Sequence, residues 1–362
     1  MRILHVITSL RVGGAETLVS HILPLMRAKG HDVELAIFDR TPSHLLSQLH
    51  EQEIKIHAFG QGKAAMYSPL HIPRLHRLMK SFDIVHSHNT SAQLFSAIAV
   101  PEGPVLLTTE HNTDNRRRHH PILKPVDRWM YERYDSIIAC SEAVSRKLRD
   151  YLPERLTGKL SLIPNGIPIP ENPLHSAAPK KPLSEKCDIL MIAAFRPQKD
   201  HLTAIKALPL MPPHVRLIFA GDGKLRHKME IEVEKLGLTS RVSFLGNVNN
   251  ATELLQKSDI ALLSTHYEGL SLAIIESMAS GVPLIASDVE GVREICGGAA
   301  ILTAESDPAA IAEAVNLLIQ SPSLAEKVSQ ACRKRALDFD INTTADRYLR
   351  LYKNLLARES RF

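Results

Sequence analysis

Short apolar runs alternate with helix-like segments along the chain, and this alternation constrains the fold more than any other feature of the sequence. The runs are rich in Val, Ile and Leu and are bounded by turn residues, which is typical of strands buried on both faces of a parallel sheet. They lie at 3–8, 33–38, 83–88, 105–109, 136–140 and 160–164 in the first half, and at 188–195, 215–221, 242–246, 259–265 and 282–287 in the second. Helical patterns at 224–236, 271–280 and 307–319 favour βαβ units, so the sequence predicts an α/β fold.

A proline-rich stretch without a sustained period, residues 167–186, divides the two sets of runs and indicates a linker. A length of 362 residues suits two domains. The sequence therefore predicts two doubly wound, Rossmann-like domains, 1–166 and 187–342, facing across a cleft. The amphipathic tail, 343–362, is expected to join the first domain, with a surface helix of the second domain as the alternative.

Charge and composition narrow the class of partner. Residues 1–170 carry 21 Lys and Arg against 16 Asp and Glu, whereas the remainder carries 23 of each, and 13 of the 18 histidines fall in the first half. Different partners for the two halves are one interpretation, and ordinary surface variation is the other. Aromatic residues make up only 5%, which disfavours stacking on single-stranded nucleic acid.

The cysteines and the apolar segments indicate a soluble cytoplasmic protein. Cys140, Cys187, Cys296 and Cys332 show no metal-ligand spacing and are expected to be buried free thiols in a reducing compartment. The N-terminal MRILHVITSL has no cleavage site and indicates a first strand rather than a signal peptide. The longest segment free of charged residues, 84–101, is too polar to span a membrane.

Two carboxylates in the second half, Glu268 and Glu276, are separated by seven residues that span a turn and the start of a helix. Backbone N–H groups from Gly269 to Leu272 point outward at the positive end of this helix. Amides suit phosphate and carboxylates suit sugar hydroxyls, so the segment predicts a site for a nucleotide-sugar. Upstream, Arg196 and Lys199 follow a strand and would neutralise a diphosphate as it leaves.

The loops after strands in the first half carry small and polar residues. Gly13 and Gly14 permit close approach of backbone to a ligand, although a tight turn explains them equally well. No GxGxxG occurs there or at 221–223, which disfavours an NAD enzyme. The His-Asn pairs His88–Asn89 and His111–Asn112 follow neighbouring strands and are predicted to donate hydrogen bonds to sugar or phosphate. Zinc is a poor alternative because no Cys or carboxylate falls at ligand spacing.

A basic cluster, Arg116, Arg117 and Arg118, follows the second of these pairs. A solvated loop is one interpretation, and contact with an anionic acceptor or a membrane headgroup is the other.

Taken together, these motifs resemble the retaining glycosyltransferases of family 4, which have the two-domain GT-B fold. The motifs that carry the resemblance are GGAE (13–16), IPNGI (163–167), PQKDH (197–201), AGDG (220–223), FLG (244–246) and EGLSLAIIE (268–276). Two positions depart from the family pattern. Ala194 stands where the family commonly has Arg, so either Arg196 substitutes or Lys199 acts alone. Pro168 replaces an acidic residue at the hinge, where little chemical consequence is expected.

The resemblance implies a role for each matching position. Glu268 would hold hydroxyls of the donor sugar, Glu276 the ribose, and His111 would lie beside the reacting carbon. The diphosphate would bind Lys199, the Gly13–Gly14 loop and the amides of the helix start. The remaining donor contacts implied are Gly221, Leu245, Gly246, Asn247, Val248, Gly269, Leu270, Ser271 and Leu272. His88, Asn89, Asn112 and the three arginines are the acceptor-side candidates.

The implied activity is transfer of a sugar from a nucleotide diphosphate donor, a UDP-sugar by preference, with no metal and no cofactor. The implied acceptor is a glycan or a polyprenyl- or lipid-linked sugar in surface polysaccharide assembly, met at the inner face of an anionic membrane. Two other activities stay open. A sugar-nucleotide 2-epimerase would convert the donor alone, and a non-catalytic subunit would bind the donor without releasing nucleoside diphosphate. A phosphorylase would need a cofactor lysine or phosphate site that the sequence does not offer.

Overall fold

The chain forms two compact units, each built on one parallel sheet. Our computed structural model describes residues 1–11, 13–112, 115–169, 185–248 and 250–359, without the side chains of Arg116 and Glu359. Unit 1 comprises Met1–Pro168 together with Asp340–Phe362, and unit 2 comprises Ile169–Phe339. Most of the predicted linker, residues 170–184, lies outside the described residues.

Unit 1 contains a seven-stranded sheet with strand order β3-β2-β1-β4-β5-β6-β7. All of its pairings are parallel. The strands are β1 (Arg2–Ser9), β2 (Asp32–Asp39), β3 (Lys55–Ala58), β4 (Ile84–His88), β5 (Val105–Glu110), β6 (Ser136–Ala139) and β7 (Leu160–Leu162). The helices between them are α1 (Gly14–Ala28), α2 (His44–Glu51), α3 (His71–Met79), α4 (Thr90–Ala99), α5 (Arg116–His119), α6 (Leu123–Glu132), α7 (Glu142–Tyr151) and α8 (Glu154–Thr157).

Unit 2 contains a six-stranded parallel sheet with strand order β10-β9-β8-β11-β12-β13. The strands are β8 (Cys187–Ile192), β9 (Val215–Ala220), β10 (Val242–Phe244), β11 (Ile260–Leu263), β12 (Leu284–Ser287) and β13 (Ile301–Thr303). The helices are α9 (His201–Ala207), α10 (Arg226–Lys235), α11 (Ala251–Lys257), α12 (Leu272–Ser280), α13 (Glu290–Cys296), α14 (Pro308–Gln320) and α15 (Pro322–Ala336). Both sheets have the doubly wound order in which ligands bind at the carboxyl ends of the strands.

The C-terminal helix α16 (Ile341–Glu359) belongs to unit 1. Its Tyr348 and Tyr352 are fully buried in the core that β1, β2, α1 and α2 form, and Lys29, the residue after α1, pairs with Asp346 at 2.7 Å. Asp340 accepts a hydrogen bond from the backbone N–H of Asn342, which caps the helix start. The tail therefore packs on the first domain and is not a surface helix of the second.

The predicted α/β fold is confirmed, and each predicted apolar run contains a strand. The sequence reading missed two strands, β3 and β13. Both are short edge strands whose residues are mostly half-exposed. Strand β3 presents no continuous apolar run, and the run that contains β13, at 299–302, is only four residues long. Among the described residues, no helix has the length and apolar character needed to cross a bilayer. The four cysteines are buried, and none of them forms a disulfide.

Candidate active site

In unit 2, two loops at the carboxyl ends of β8 and β11 bring Lys199 and Glu268 together. A backbone bridge between Lys199 and Thr265 joins the loops, and the Lys199 Nζ pairs with Glu268 Oε1. Thr265 Oγ1 donates to the same carboxylate oxygen at 2.9 Å, and Gln198 Nε2 donates to Oε2 at 3.3 Å. The Lys199 side chain is only 15% exposed and the Glu268 side chain 6%. The two residues therefore form a preorganised pair of opposite charges.

The start of α12 lies directly after this pair. Its N-cap residue, Ser271, has extended backbone and makes no side-chain bond to the first N–H groups of the helix. Amides at a helix start that lack a side-chain cap are suited to an anion. Glu276 follows on the second turn, where burial raises its pKa to about 7. The carboxyl therefore changes its charge near neutral pH.

Gly291, a residue that the sequence reading did not assign, fixes the position of this loop. A Cβ on Gly291 would lie 2.9 Å from the carbonyl carbon of Glu268 and 3.1 Å from the carbonyl oxygen of Gly269. Only glycine lets α13 approach the loop this closely. Gly291 is the first residue of the GVREI motif (291–295), which follows the two-glutamate segment. The position of this motif in the sequence does not reveal that Gly291 packs against the backbone of Glu268 and Gly269.

The other predicted donor contacts occupy neighbouring loops of unit 2. Gly221 has a φ of +148° and its N–H donates to the carbonyl of Gly246 at 2.7 Å, which joins the ends of β9 and β10. Leu245 is 45% exposed beside Gly246, and Asn247 and Val248 continue the same loop. Arg196 is exposed, and the described residues provide no hydrogen-bond or ion-pair partner for its guanidinium.

In unit 1, four histidines form what we call the histidine cluster: His5, His86, His88 and His111. His5 Nδ1 lies 3.0 Å from His88 Nε2, and His88 Nδ1 lies 3.1 Å from His111 Nε2. His86 contacts Tyr352 of α16 at 2.6 Å and Thr109 at 2.7 Å. Burial lowers the pKa of His111 to about 4 and of His5 to about 3, and it lowers the pKa of His86 and His88 as well. The cluster is therefore uncharged at neutral pH.

The contact with Asn165 fixes the donor and the acceptor in each hydrogen bond between His111, His88 and His5. Asn165 Nδ2 donates to His111 Nδ1 at 3.2 Å. The proton of neutral His111 therefore lies on Nε2 and is donated to His88, which donates in turn to His5. His5 Nε2 ends the chain without a partner among the described residues.

His88, which was predicted to donate a hydrogen bond to sugar or phosphate, has no ring nitrogen open to a ligand. Its side chain is fully buried, and both of its ring nitrogens are engaged within the cluster. The sequence also gave no sign that three histidines share a space in which a metal could be ligated. However, the ring nitrogens of His86 and His88 already contact protein atoms.

The interpretation of the basic cluster after His111 also changes, because two of its three arginines are buried. Arg118 is buried and pairs with Glu110 at 2.6 Å, and Arg117 is buried and pairs with Asp127 at 2.6 Å. These pairs neutralise the two arginines, so Arg117 and Arg118 do not form an open cationic patch. The side chain of Arg116 lies outside the described residues.

A cavity of about 290 Å³ opens beside His111 in unit 1. Asn89 borders it with a φ of +69°, which is uncommon for a residue other than glycine and typical of functional sites. Asn89 Nδ2 donates to Glu16 of α1 at 2.9 Å, two residues after Gly14. The lining is mostly amide and hydroxyl groups, from Tyr67, Asn89, Thr90, Gln93, Thr109, Glu110, His111, Asn112, Asn115 and Arg117.

Each of the two units matches a glycosyltransferase family model over most of its length. Residues 176–335 match the family described as glycosyl transferases group 1, and residues 12–170 match glycosyltransferase family 4. The putative glycosyltransferase EpsD of Bacillus subtilis is 29% identical over 297 residues, which covers 75% of this chain and 76% of EpsD. The phosphatidyl-myo-inositol mannosyltransferase of Mycobacterium leprae is 25% identical, over 96% of this chain and 95% of its own length.

Among solved structures, HepE of Anabaena superposes with a TM-score of 0.82 at 20% identity, covering 98% of this chain and all of HepE. It was crystallised with UDP and, separately, with UDP-glucose. The likeness establishes the GT-B fold.

Proposed function

Because the chain belongs to the family 4 type of glycosyltransferase, we propose that it transfers a sugar from a UDP-sugar to a glycan or lipid-linked acceptor, with retention at the anomeric carbon. The observation that carries the proposal is the buried Lys199–Glu268 pair at the start of α12. HepE, which has the same fold, was crystallised with UDP and UDP-glucose. The mannosyltransferase relative is named for a phosphatidyl-inositol acceptor.

The donor would divide its contacts among the groups of unit 2. The diphosphate binds the amides of Gly269–Leu272 and takes Lys199 as its counter-charge. Sugar hydroxyls bind Glu268, and ribose hydroxyls bind Glu276. The base lies against Leu245–Val248. In the structure Lys199 pairs with Glu268, whose Oε1 also accepts a hydrogen bond from Thr265. On donor binding, Glu268 would exchange the ammonium for the sugar hydroxyls, and this exchange would release Lys199 to the diphosphate.

Transfer then needs no side-chain base. The bond from the anomeric carbon to the phosphate oxygen breaks, and the acceptor oxygen bonds to that carbon on the same face. The acceptor proton passes to the leaving phosphate. Lys199 and the amides stabilise the charge that develops on that phosphate, and loss of one such partner typically costs about 100- to 1000-fold in rate. Lys199 and amides serve the diphosphate without a metal ion. The roles of His111 and of the Gly13–Gly14 loop remain predictions.

The cavity beside His111 is proposed as the acceptor pocket. Its amides from Asn89, Asn112 and Asn115 suit the hydroxyl or acetamido groups of a sugar. Its arginine, Arg117, is already neutralised by Asp127. The pocket therefore favours an uncharged sugar over a free phosphate. Surface polysaccharide assembly at the cytoplasmic side of a membrane is the setting that we propose for the reaction.

A thermal-shift screen of UDP-, GDP- and ADP-sugars tests the donor site, because a ligand that binds the native state raises its apparent stability. We expect a UDP-sugar to raise the melting temperature of the parent protein. Lys199→Ala should abolish useful turnover, and Lys206→Ala, which removes an exposed lysine of α9 outside the proposed site, is the matched control. Arg196→Ala shows whether Arg196 assists. A folded Lys199→Ala variant with near-parental activity would contradict the assignment.

The same reagents distinguish the other activities. Donor converted without any acceptor would indicate an epimerase. Donor binding without release of nucleoside diphosphate, with every acceptor tested, would indicate a non-catalytic subunit.

A further inference from the structure

Helix α6 carries an apolar stripe that faces solvent. Ile122, just before the helix, is 75% exposed, Leu123 is 40%, Val126 is 41% and Trp129 is 42% exposed. Ile122, Val126 and Trp129 are spaced by four and three residues, so they lie on one side of the helix. We call these four residues the α6 ridge. On the opposite side Asp127, Met130 and Tyr131 are buried, so the ridge is not needed for the core of unit 1.

Helix α6 and its end carry cations beside the ridge. Lys124 and Arg128 are partly exposed on the same helix, and Arg133 is exposed at its end. The two acidic residues of α6 are compensated, because buried Asp127 pairs with Arg117 and Glu132 pairs with Arg155. A partner for this surface therefore has to offer negative charge together with an apolar interior.

Helix α3 extends the positive surface. Helix α4 contacts both α3 and α6, so the two flanking helices lie on the same face of the unit 1 sheet. Arg74, Arg77 and Lys80, on and just after α3, are exposed, and residues 54–82 contain no Asp or Glu. The cationic area is therefore wider than a single helix.

An apolar stripe that contains tryptophan and is flanked by cations is the pattern of a helix lying in a membrane interface. Trp and Tyr favour the headgroup level, and anionic lipids attract Lys and Arg near the surface. Of the partners that offer negative charge beside an apolar interior, a bilayer with anionic headgroups presents both over an area wide enough for two helices.

We propose that the α6 ridge docks unit 1 onto a bilayer that contains anionic phospholipid, with Trp129 in the headgroup region. The ridge is next to the candidate acceptor pocket, since α5 connects the pocket residues Asn115 and Arg117 to α6. Docking would bring an acceptor attached to a lipid close to the pocket. This consequence, but not the docking itself, rests on the proposed function.

The chain supplies its own reporter, because Trp129 is its only tryptophan. The protein is mixed with vesicles of phosphatidylcholine alone, or of phosphatidylcholine with phosphatidylglycerol. We expect a blue shift of the tryptophan emission, and quenching by brominated acyl chains, only with the anionic vesicles. Both signals should weaken at high salt because the attraction to the surface is electrostatic.

The double variant Ile122→Ser, Val126→Ser should bind anionic vesicles at least about tenfold more weakly in a sedimentation assay, because apolar area no longer enters the interface. Leu210→Ser, Leu317→Ser is the matched control, since it removes two exposed apolar side chains of unit 2. The control should bind as the parent does.

The proposal is overturned if the parent shows no emission change with anionic vesicles, or if the ridge variant binds as tightly as the control. Donor thermal shifts of the ridge variant should equal those of the parent, because neither residue is part of the proposed active site. Failure of docking with an intact donor shift would leave the proposed function standing. Vesicle binding without any sugar transfer would leave the docking standing.

Discussion

The substitution Gly291→Ala tests whether the position of the Glu268 loop controls activity. The new Cβ would lie 2.9 Å from the carbonyl carbon of Glu268, whereas ordinary contact begins at 3.4 Å. The neighbouring atoms are backbone, so the loop has to move by at least 0.5 Å, and further where the Cβ meets the carbonyl oxygen. This movement would disturb the 2.9 Å bond from Thr265 to Glu268 and the pairing with Lys199.

A misplacement of about 1 Å at a reacting centre typically costs about 100-fold in rate. We therefore expect kcat/KM for the donor sugar to fall by about 10- to 100-fold in Gly291→Ala, measured by release of UDP, with an unchanged circular dichroism spectrum. Gly158→Ala is the matched control, because nothing lies within 4 Å of the added Cβ and the backbone there is helical. Parental activity of Gly291→Ala would refute the claim that this contact positions Glu268.

Three further predictions concern protonation and burial. Because the pKa of Glu276 is about 7 and the ionised carboxylate accepts hydrogen bonds from ribose hydroxyls, KM for the donor should fall as pH rises through 7. Glu276→Gln should flatten this profile. A KM that rises with pH in the parent would count against the ribose role. The lowered pKa values of the buried histidines predict that the free energy of unfolding falls as pH drops below about 6.5, because only the unfolded chain takes up protons there. The expected loss is about 1.4 kcal/mol per pH unit for each buried histidine. Urea unfolding should show this loss continuing towards pH 4 for His111 and pH 3 for His5, and a shallower dependence in His5→Gln; equal slopes would exclude His5 as a contributor. Arg118→Ala should lower the free energy of unfolding by about 3–5 kcal/mol, because it removes the cation that pairs with buried Glu110 and leaves this carboxylate with the hydrogen bond from Gln93. A loss below about 1 kcal/mol would show that the ion pair is not needed.

The sequence predicted the sheets well because their strands are buried on both faces. Ile84 and Val85, for example, are fully buried, and so are Val105 and Leu106 on the next strand. Such strands read as continuous apolar runs. The edge strand β3, with the sequence KIHA, places no residue in the fully buried class and so gave no such run.

The histidine cluster could not be predicted because it depends on strand order. His5 of β1 lies opposite His86 of β4 in the sheet, although 80 residues separate them in the chain. The sequence does not show that β1 and β4 are neighbours in the sheet. Tyr352 comes from the far end of the chain and completes the surroundings of His86.

The burial of Arg117 and Arg118 could not be predicted either, because their partners are distant in the sequence or on another element. A run of like charges is usually solvated, but Arg117 and Arg118 find carboxylate partners in Asp127, on a later helix, and Glu110, at the end of β5. By contrast, Lys199 and Glu268 were predicted as members of one site because both follow strands of the same parallel sheet. The structure brings them into direct contact.

The anomeric configuration of the transferred sugar tests the central claim most directly. The parent protein is incubated with an α-linked UDP-sugar and a sugar acceptor, and the purified product is examined by proton NMR. We predict an α-linked product that forms together with UDP and is absent with Lys199→Ala. A β-linked product, or conversion of the donor in the absence of acceptor, would contradict the claim.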